Sequence, residues 1–521
     1  MSTANVNTPC PRYFELEKMR SGCRDMMVGV ERLKSKAEIY LPRNPSESVV
    51  NVPGFGVVDP WKNRVEMSRL NNMFQDAVDE CVGKVFAKPI KIQEGTPDQL
   101  EGFCDDVDGR GSDLQTFAMA CASRSVAEGN DFVLVDYPPV GSDGVLLEVD
   151  EKRLGLAPFW TRYSPESVID WKFANHGKVK RLVRVRLRET AEEPDGEWGT
   201  KCIPQVRVLV AGNPALEVGA PGYYATWSVW RKVDGASTTG EEVWTVYQSG
   251  VLKPQVDIPL VELPTDLAMP FEAIPPYLDL KHLTVAHCRK LSDLDNAQHA
   301  VGYPVFAISG ADMEANSGTI SMGPNRIVLI KDPAGRAMFV EPAGTAWGSV
   351  QGELRSMEAQ GKSLASEPFE SSGALTATGE AIRASRHTSK LSGWVMAWQS
   401  AFGALFYYTA QYMGLQVYGA TEGWGGVELN NTFIPVAQNV DGARLMLEAN
   451  IAGKVSDETF HEALQRAELV SEETTFEMER ERLSHQGPSD PTDEDRSGED
   501  LTEDSPETEE QPMPEVEPAA V

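Results

Sequence analysis

Basic charge is what this sequence has least of. Its 521 residues hold 48 Lys and Arg against 78 Asp and Glu, a formal net charge of -30 at pH 7. Residues 487–521 contribute thirteen acidic residues and one arginine, and the rest of the chain still carries -18. A protein that grips nucleic acid by neutralising phosphates carries a basic excess, so tight phosphate binding is excluded. Cysteine is also scarce. Cys10, Cys23, Cys81, Cys104, Cys121, Cys202 and Cys288 are odd in number, scattered, and form no CxxC pair. That argues against a disulfide framework and for free thiols in a reducing cytoplasm. The opening stretch MSTANVNTPCPRYFELEKMR lacks an apolar run of the length a secretory signal needs.

Catalytic signatures are missing as well. There is no GxSxG elbow and no dinucleotide fingerprint. Gly361-Lys362-Ser363 has the ending of a phosphate-binding loop, but Ser356 stands where the loop's first glycine belongs, and the segment reads as helix. Asp105, Asp106, Asp108 and Asp113 cluster, yet position twelve counted from Asp106 is Phe117, not the glutamate of a calcium loop. A Gly-rich turn capping the next helix is the better reading. His461-Glu462 lacks the second histidine of a zinc-protease helix. His176, His282, His287, His299, His387 and His485 make no ligand set. No catalytic residue, metal or cofactor is expected.

What is present is ordinary globular composition, 41% hydrophobic and 24% charged, enough for a large core. The length allows two to four compact units or one elongated subunit. One run stands out. From Trp394 to Val417 no residue is charged, which is long enough to cross a bilayer. Against a membrane span, Gln399 and Gln411 sit inside it and no basic loop sets an orientation. Trp394, Val395, Trp398, Phe402, Leu405, Phe406, Tyr412 and Met413 recur at three- and four-residue steps, the pattern of a helix enclosed by protein. So long an uncharged helix is expected to need neighbouring subunits to cover it.

Element signals run in order. The first twenty or so residues read as an arm. Met67, Leu70, Met73, Phe74, Val78 and Val82 have helical spacing across 64–86. A second helix starts at Ser112 or Asp113 and ends at Gly129, and a strand follows in DFVLVDYPP. Residues 157–270 read as β, with a hairpin turn at Asp234-Gly235. Helices are expected from Leu278 to Gly302, from Trp347, and from Thr378. Between the first two lie NRIVLI and RAMFVEP, read as strands joined at Asp332-Pro333-Ala334-Gly335. A short strand in GVELNNTFIPV and two short helices in 441–470 follow. The tail after Gln486 holds almost no large apolar residues and is expected to be disordered and dispensable for assembly.

This order resembles the portal proteins of tailed bacteriophages, in particular a portal-like family catalogued in phages and prophages as a domain of unknown function. The resemblance covers about 35–485. It rests on EIYLPRNP, NRVEMSRLNNMFQDAVDECVGKVFAKPIKI, DVDGRGSDLQTFAMACASRSVAEGNDFVLVDYPP, PFWTRYSPESVIDW, IPPYLDLKHLTVAHCRKLSDLDNAQHAVGYPVFAISG and TATGEAIRASRHTSKLSGWVMAWQSAFGALFYYTAQYMG, in that order. It implies an α+β, elongated, non-enzymatic subunit of a ring, usually of twelve, at one capsid vertex. The implied parts are an arm (1–34), a wing (35–276) and two stem helices (277–302 and 347–365) flanking a β clip (303–346). A tunnel loop (366–375), a long helix (376–416), a returning wing strand (417–437), a crown (438–486) and an acidic tail (487–521) follow.

Several residues acquire roles from the resemblance. Ser366, Glu367, Pro368, Phe369, Glu370, Ser371, Ser372 and Gly373 would form the tunnel loop facing the channel. Arg289, Lys290, Arg355 and Lys362 are stem candidates, with a solvated or intersubunit charge as the plainer reading. Arg326, Lys331 and Arg336 are clip docking candidates. Implied partners are further copies of the chain, double-stranded DNA sliding through without tight binding, the terminase large subunit, a head–tail adaptor, and a capsid or scaffolding protein, with no membrane. The implied location is the virion's portal vertex, and the host cytoplasm during assembly. The alternatives are another structural virion protein, such as a capsid or adaptor component, and a membrane-anchored protein using 394–417.

Overall fold

The structure is a computed structural model. It describes residues 5–45, 47–52, 56–138, 155–176, 178–212, 223–233, 242–266, 269–301, 305–310, 330, 332–340, 347–365, 377–415, 425–431, 433, 444, 446–466, 469–470 and 474–486. The chain divides into Met1–Phe433 and Ile434–Val521. Helices and sheets occupy separate stretches, which makes the fold α+β.

The first unit begins with helices, not an arm. α1 (Pro11–Val28), α2 (Val30–Ser35) and α3 (Ala37–Tyr40) precede a strand pair, β1 (Val50–Val52) and β2 (Gly56–Val58). Leu16, Cys23, Met26 and Leu33 are all buried. The sequence reading missed α1 because its apolar stripe is interrupted: Arg20 and Asp25 are buried beside those side chains, and Gly22 packs against Lys281. Polar residues that find partners inside erase the periodicity that marks an amphipathic helix.

The helical stretch at 64–86 is two helices, α4 (Pro60–Met67) and α5 (Met73–Val85). Asn72 separates them by capping α5, its side chain accepting from Gln75 N at 3.3 Å. After β3 (Lys91–Ile92) and α6 (Asp98–Phe103), α7 (Leu114–Glu128) runs between Asp113 and Gly129 as expected. Asp113 accepts from Thr116 N at 2.8 Å. The acidic cluster before it is a turn. Asp106 accepts from Arg110 N and Gly111 N, and Asp108 from Arg110 N and Ser112 N.

Two hydrophobic cores share one wall. β4 (Asn130–Asp136) lies between β5 (Phe159–Tyr163) and β11 (Leu260–Pro264) in a three-stranded antiparallel sheet. Successive side chains on a strand face opposite ways. Val133 and Val135 enter a core shared with the helices, and Phe132 and Leu134 enter the core of the β-rich region. That region is a five-stranded antiparallel sheet in which β6 (Val168–His176), β7 (Val179–Asp195), β8 (Gly199–Val210), β9 (Thr226–Lys232) and β10 (Trp244–Val251) neighbour one another in chain order. β9 and β10 pair as the hairpin signal indicates, while its turn at Asp234-Gly235 lies outside the described residues.

Three long helices follow: α8 (Leu278–Val301), α9 (Trp347–Ala365) and α10 (Ala377–Tyr412). Between α8 and α9, β12 (Val305–Ile308) pairs antiparallel with β13 (Ala337–Val340). Of the two strands expected here, RAMFVEP holds β13, whose described partner is β12, some thirty residues earlier; 325–329 of NRIVLI lie outside the described residues. β14 (Val427–Glu428) pairs with β3.

α10 settles the uncharged run. Leu391, Val395, Trp398, Phe402, Leu405 and Phe406 are buried in the helical core. Thr409, Gln411 and Tyr407 have polar partners: Trp160 Nε1 donates to Thr409 Oγ1 at 2.9 Å, and Gln411 Nε2 donates to the Tyr407 hydroxyl at 2.8 Å. Among the described residues no helix is long and apolar enough to cross a membrane. The expected need for neighbouring subunits is corrected in one respect. The chain itself covers the apolar face, leaving a narrow strip at Gly393, Met396 and Ser400 exposed.

The second unit contains α11 (Asp457–Arg466) and α12 (Phe476–Gln486). His461 holds them together, its Nε2 donating to Thr474 O at 2.9 Å and its ring 5.8 Å from that of Phe476. The histidine is a packing residue here. The tail, 487–521, lies outside the described residues.

Candidate functional site: a helical hairpin carrying a strand pair

α8 and α9 form an antiparallel hairpin. The order of their contacts gives the direction: His287 Nε2 lies 3.2 Å from Glu358 Oε1, and one turn further along α8 Lys290 pairs with Glu353, earlier in α9. A 24-residue helix is about 36 Å long, and its two halves differ. The first half is rooted in the helical core through Tyr277, Leu280, Thr284, His287 and Cys288. Toward the strand pair, Asp293, Asn296 and Ala297 of α8 are exposed, and on the facing part of α9 so are Gln351, Gly352 and Glu353.

Polar contacts fix the root. Arg64 is 4% exposed, so its charge needs a partner in place. It donates from Nε to Glu47 Oε1 at 2.5 Å and from Nη1 to Ser292 Oγ at 3.3 Å. Ser68 and Ser292 share a 2.7 Å hydroxyl contact, and Arg69 donates to both oxygens of Asp295. None of these partners was visible in the sequence, because they lie far apart in the chain and follow no spacing rule. Gly361 of α9 sits where a Cβ would collide with the Met73 sulfur, so α9 approaches α5 closely there.

The stem candidates split. Arg289 is turned toward its own chain, with Nε donating to Tyr40 O at 2.7 Å and Nη2 to Ile39 O at 2.9 Å. It thus satisfies carbonyls at the C-terminal end of α3. Lys290 pairs with Glu353 across the hairpin. Arg355 and Lys362 lie on the exposed face of α9, two turns apart. Of the docking candidates, Arg336 is exposed beside the strand pair, its backbone N and O bonded to Ser309 Oγ and N. Arg326, Lys331 and the whole tunnel-loop set from Ser366 to Gly373 lie outside the described residues.

Burial pushes the Cys288 thiol up to about 11, and those of Cys23 and Cys104 up to about 12, so these sulfurs stay protonated at neutral pH. Among the described residues no group of three or more His, Cys, Asp or Glu could hold a metal ion. Gly361-Lys362-Ser363 lies within α9. A cavity of about 480 Å³ opens on the five-stranded sheet beside Asp136, Arg207, Arg231, Tyr247 and Tyr412. Its arginines are already paired, Arg207 with Asp136 and Glu189, and Arg231 with Glu193 while stacking 3.6 Å over Tyr247.

The sequence profile of a family described as "Domain of unknown function (DUF4055)" matches residues 276–413, which span α8, the strand pair, α9 and α10. No curated protein matches the chain. Among solved structures, a chain of "Virion of native gene transfer agent (GTA) particle" overlaps at 11% identity and a TM-score of 0.36, covering 74% of this chain and 88% of that one. A chain of "Neck of native GTA particle computed with C12 symmetry" overlaps at 11% identity and 0.37, covering 75% and 89%. A chain of "Neck of empty GTA particle computed with C6 symmetry" gives 12% identity and 0.37, covering 75% and 88%. Scores this low do not establish a shared fold.

Proposed function

We propose that this chain is a portal-type subunit of a tailed-phage or prophage particle, which joins further copies in a ring around a DNA channel. The observation that carries the reading is the antiparallel hairpin α8–α9. It is rooted in the helical core, has a small strand pair tethered at both ends between its helices, and is followed by the core-forming α10. The sequence resemblance assigns stem, clip and long helix to these elements. The DUF4055 match covers this same stretch. The low-scoring structural overlaps are not part of the support.

In this reading the hairpin is the stem and the strand pair is the clip. The resemblance gives the tunnel-loop role to Ser366 to Gly373, which lie outside the described residues. The acidic balance keeps the duplex mobile, since strong cation contacts would hold it through counterion release. The chain acts without catalysis or cofactor, and the packaging ATPase resides on the terminase large subunit. The ring serves packaging, retention and ejection of the genome at a capsid vertex. It meets a capsid or scaffolding protein during assembly in the host cytoplasm. Electron microscopy of the purified protein tests the reading, with rings as the expected particles.

The strand pair is the docking face for the terminase and later the head–tail adaptor. Arg336→Glu is expected to weaken terminase capture in a pull-down by about tenfold while leaving rings intact, as loss of one charged interface contact does. Unchanged capture would remove Arg336 from the docking face.

A further inference from the structure

One connection in the first unit is held in a conformation its residues disfavour. Between β11 and α8 the chain passes through Phe271, which has φ +68 although it is not glycine. Such a backbone persists only where the surroundings over-determine it. Three things hold it here. The ring is locked in the β-rich core, with centroids 4.7 Å from Phe132 and 5.3 Å from Phe173. The Phe271 amide donates to Glu262 Oε2 at 2.8 Å. Arg20 Nη2 donates to Ala273 O at 2.7 Å and reaches Phe271 O at 3.5 Å.

The clamp is buried and incompletely satisfied. Glu262 Oε1 accepts from Asn130 Nδ2 at 2.9 Å, while Asn130 Oδ1 and Arg20 Nε are buried with no partner. Burial, the largest effect, raises the Glu262 carboxyl from 4.5 to about 7 against the opposing pull of Asn130, the Phe271 amide and Arg20. The charged groups around it are Arg20 from α1 and Asp266 on the connection itself. Arg20 in turn faces Glu17, Arg24 and Glu128. Glu272, next to Phe271, pairs with Arg12.

We propose that the Glu262 carboxyl is a pH-operated latch on the Met269–Tyr277 connection, closed on Phe271 when protonated and biased to release when ionised. A protonated carboxyl removes the buried charge and can donate to the vacant Asn130 Oδ1 once that amide turns over. Ionisation restores the cost of burying a charge, and the strained Phe271 backbone gives the segment a relaxed conformation to move to. The sign follows from linkage. The closed state binds the proton more tightly than an open state with a solvated carboxyl, so rising pH favours opening. The effect grows between the free carboxyl value and about 7, then levels off. It reaches on the order of a hundredfold in the opening equilibrium. The proposal stands apart from the portal reading, since it concerns one chain's own connection.

Hydrogen exchange on the full chain at pH 5 and pH 8, corrected for intrinsic exchange, tests it. Peptides within Met269–Tyr277 are expected to lose protection at pH 8 by tenfold or more, while those of α7 and β4 change little. Glu262→Gln, neutral throughout, is expected to abolish the difference. If that variant does not fold, the wild-type contrast between the two regions decides alone. Equal change in both regions, or a pH effect surviving in Glu262→Gln, would overturn the latch.

Discussion

Trp398→Ala is expected to destabilise the first unit by about 3–5 kcal/mol, the range for truncating a buried tryptophan. Trp398 is 1% exposed at the centre of α10, and its Nε1 donates to Pro264 O at 3.1 Å. The truncation opens a cavity in the helical core and leaves the Pro264 carbonyl, at the end of β11, without that donor. Met396, two residues away and 62% exposed, is the control. Met396→Ala is expected to cost less than about 0.5 kcal/mol. Denaturant unfolding followed by tryptophan fluorescence and circular dichroism measures both. A small loss for Trp398→Ala would mean that α10 does not form the core as described.

Gly129→Ala is expected to cost roughly 2–5 kcal/mol, because it combines backbone strain with an overlap that has no soft partner. Gly129 closes α7 at φ +99, and a Cβ there would lie 2.8 Å from Ala273 O and 2.9 Å from Ile274 C. Both are backbone atoms of the connection leading to α8, so relief requires moving that connection. Gly129 O also accepts from Thr265 N and Oγ1. The loss should appear in thermal unfolding of the whole unit. Full stability in Gly129→Ala would show that the α7 terminus and the connection do not meet so closely.

The same glycine shows what the sequence made legible. Asp113 and Gly129 bracket α7 because capping chemistry is local, and each residue type announces its backbone conformation. The uncharged run in α10 was legible as enclosed helix because its large side chains keep one face over six turns. Other features depend on distant partners. α1 buries Arg20 and Asp25 among Leu16, Cys23 and Met26, so its inward face is interrupted by charge. β13 pairs with β12 across a long intervening segment, a partner that no local spacing points to. Arg289 and Lys290 read as stem candidates from their place on the helix, and only the fold shows their partners within the chain, Tyr40 O for Arg289 and Glu353 for Lys290. Nothing in Phe271 foretells a positive φ, which the clamp from Glu262 and Arg20 sustains.

The ring is the central claim, and it does not rest on an uncovered α10, since the chain itself covers the apolar face from Leu391 to Ala410. It rests on the hairpin, rooted in the helical core, and on the strand pair between its helices. Negative-stain images of the full chain, purified without detergent at low and moderate salt, test it most directly. The account predicts closed rings with a central opening, rotationally symmetric and of one size. Particles that remain monomeric on concentration, or that close into shells, would contradict it.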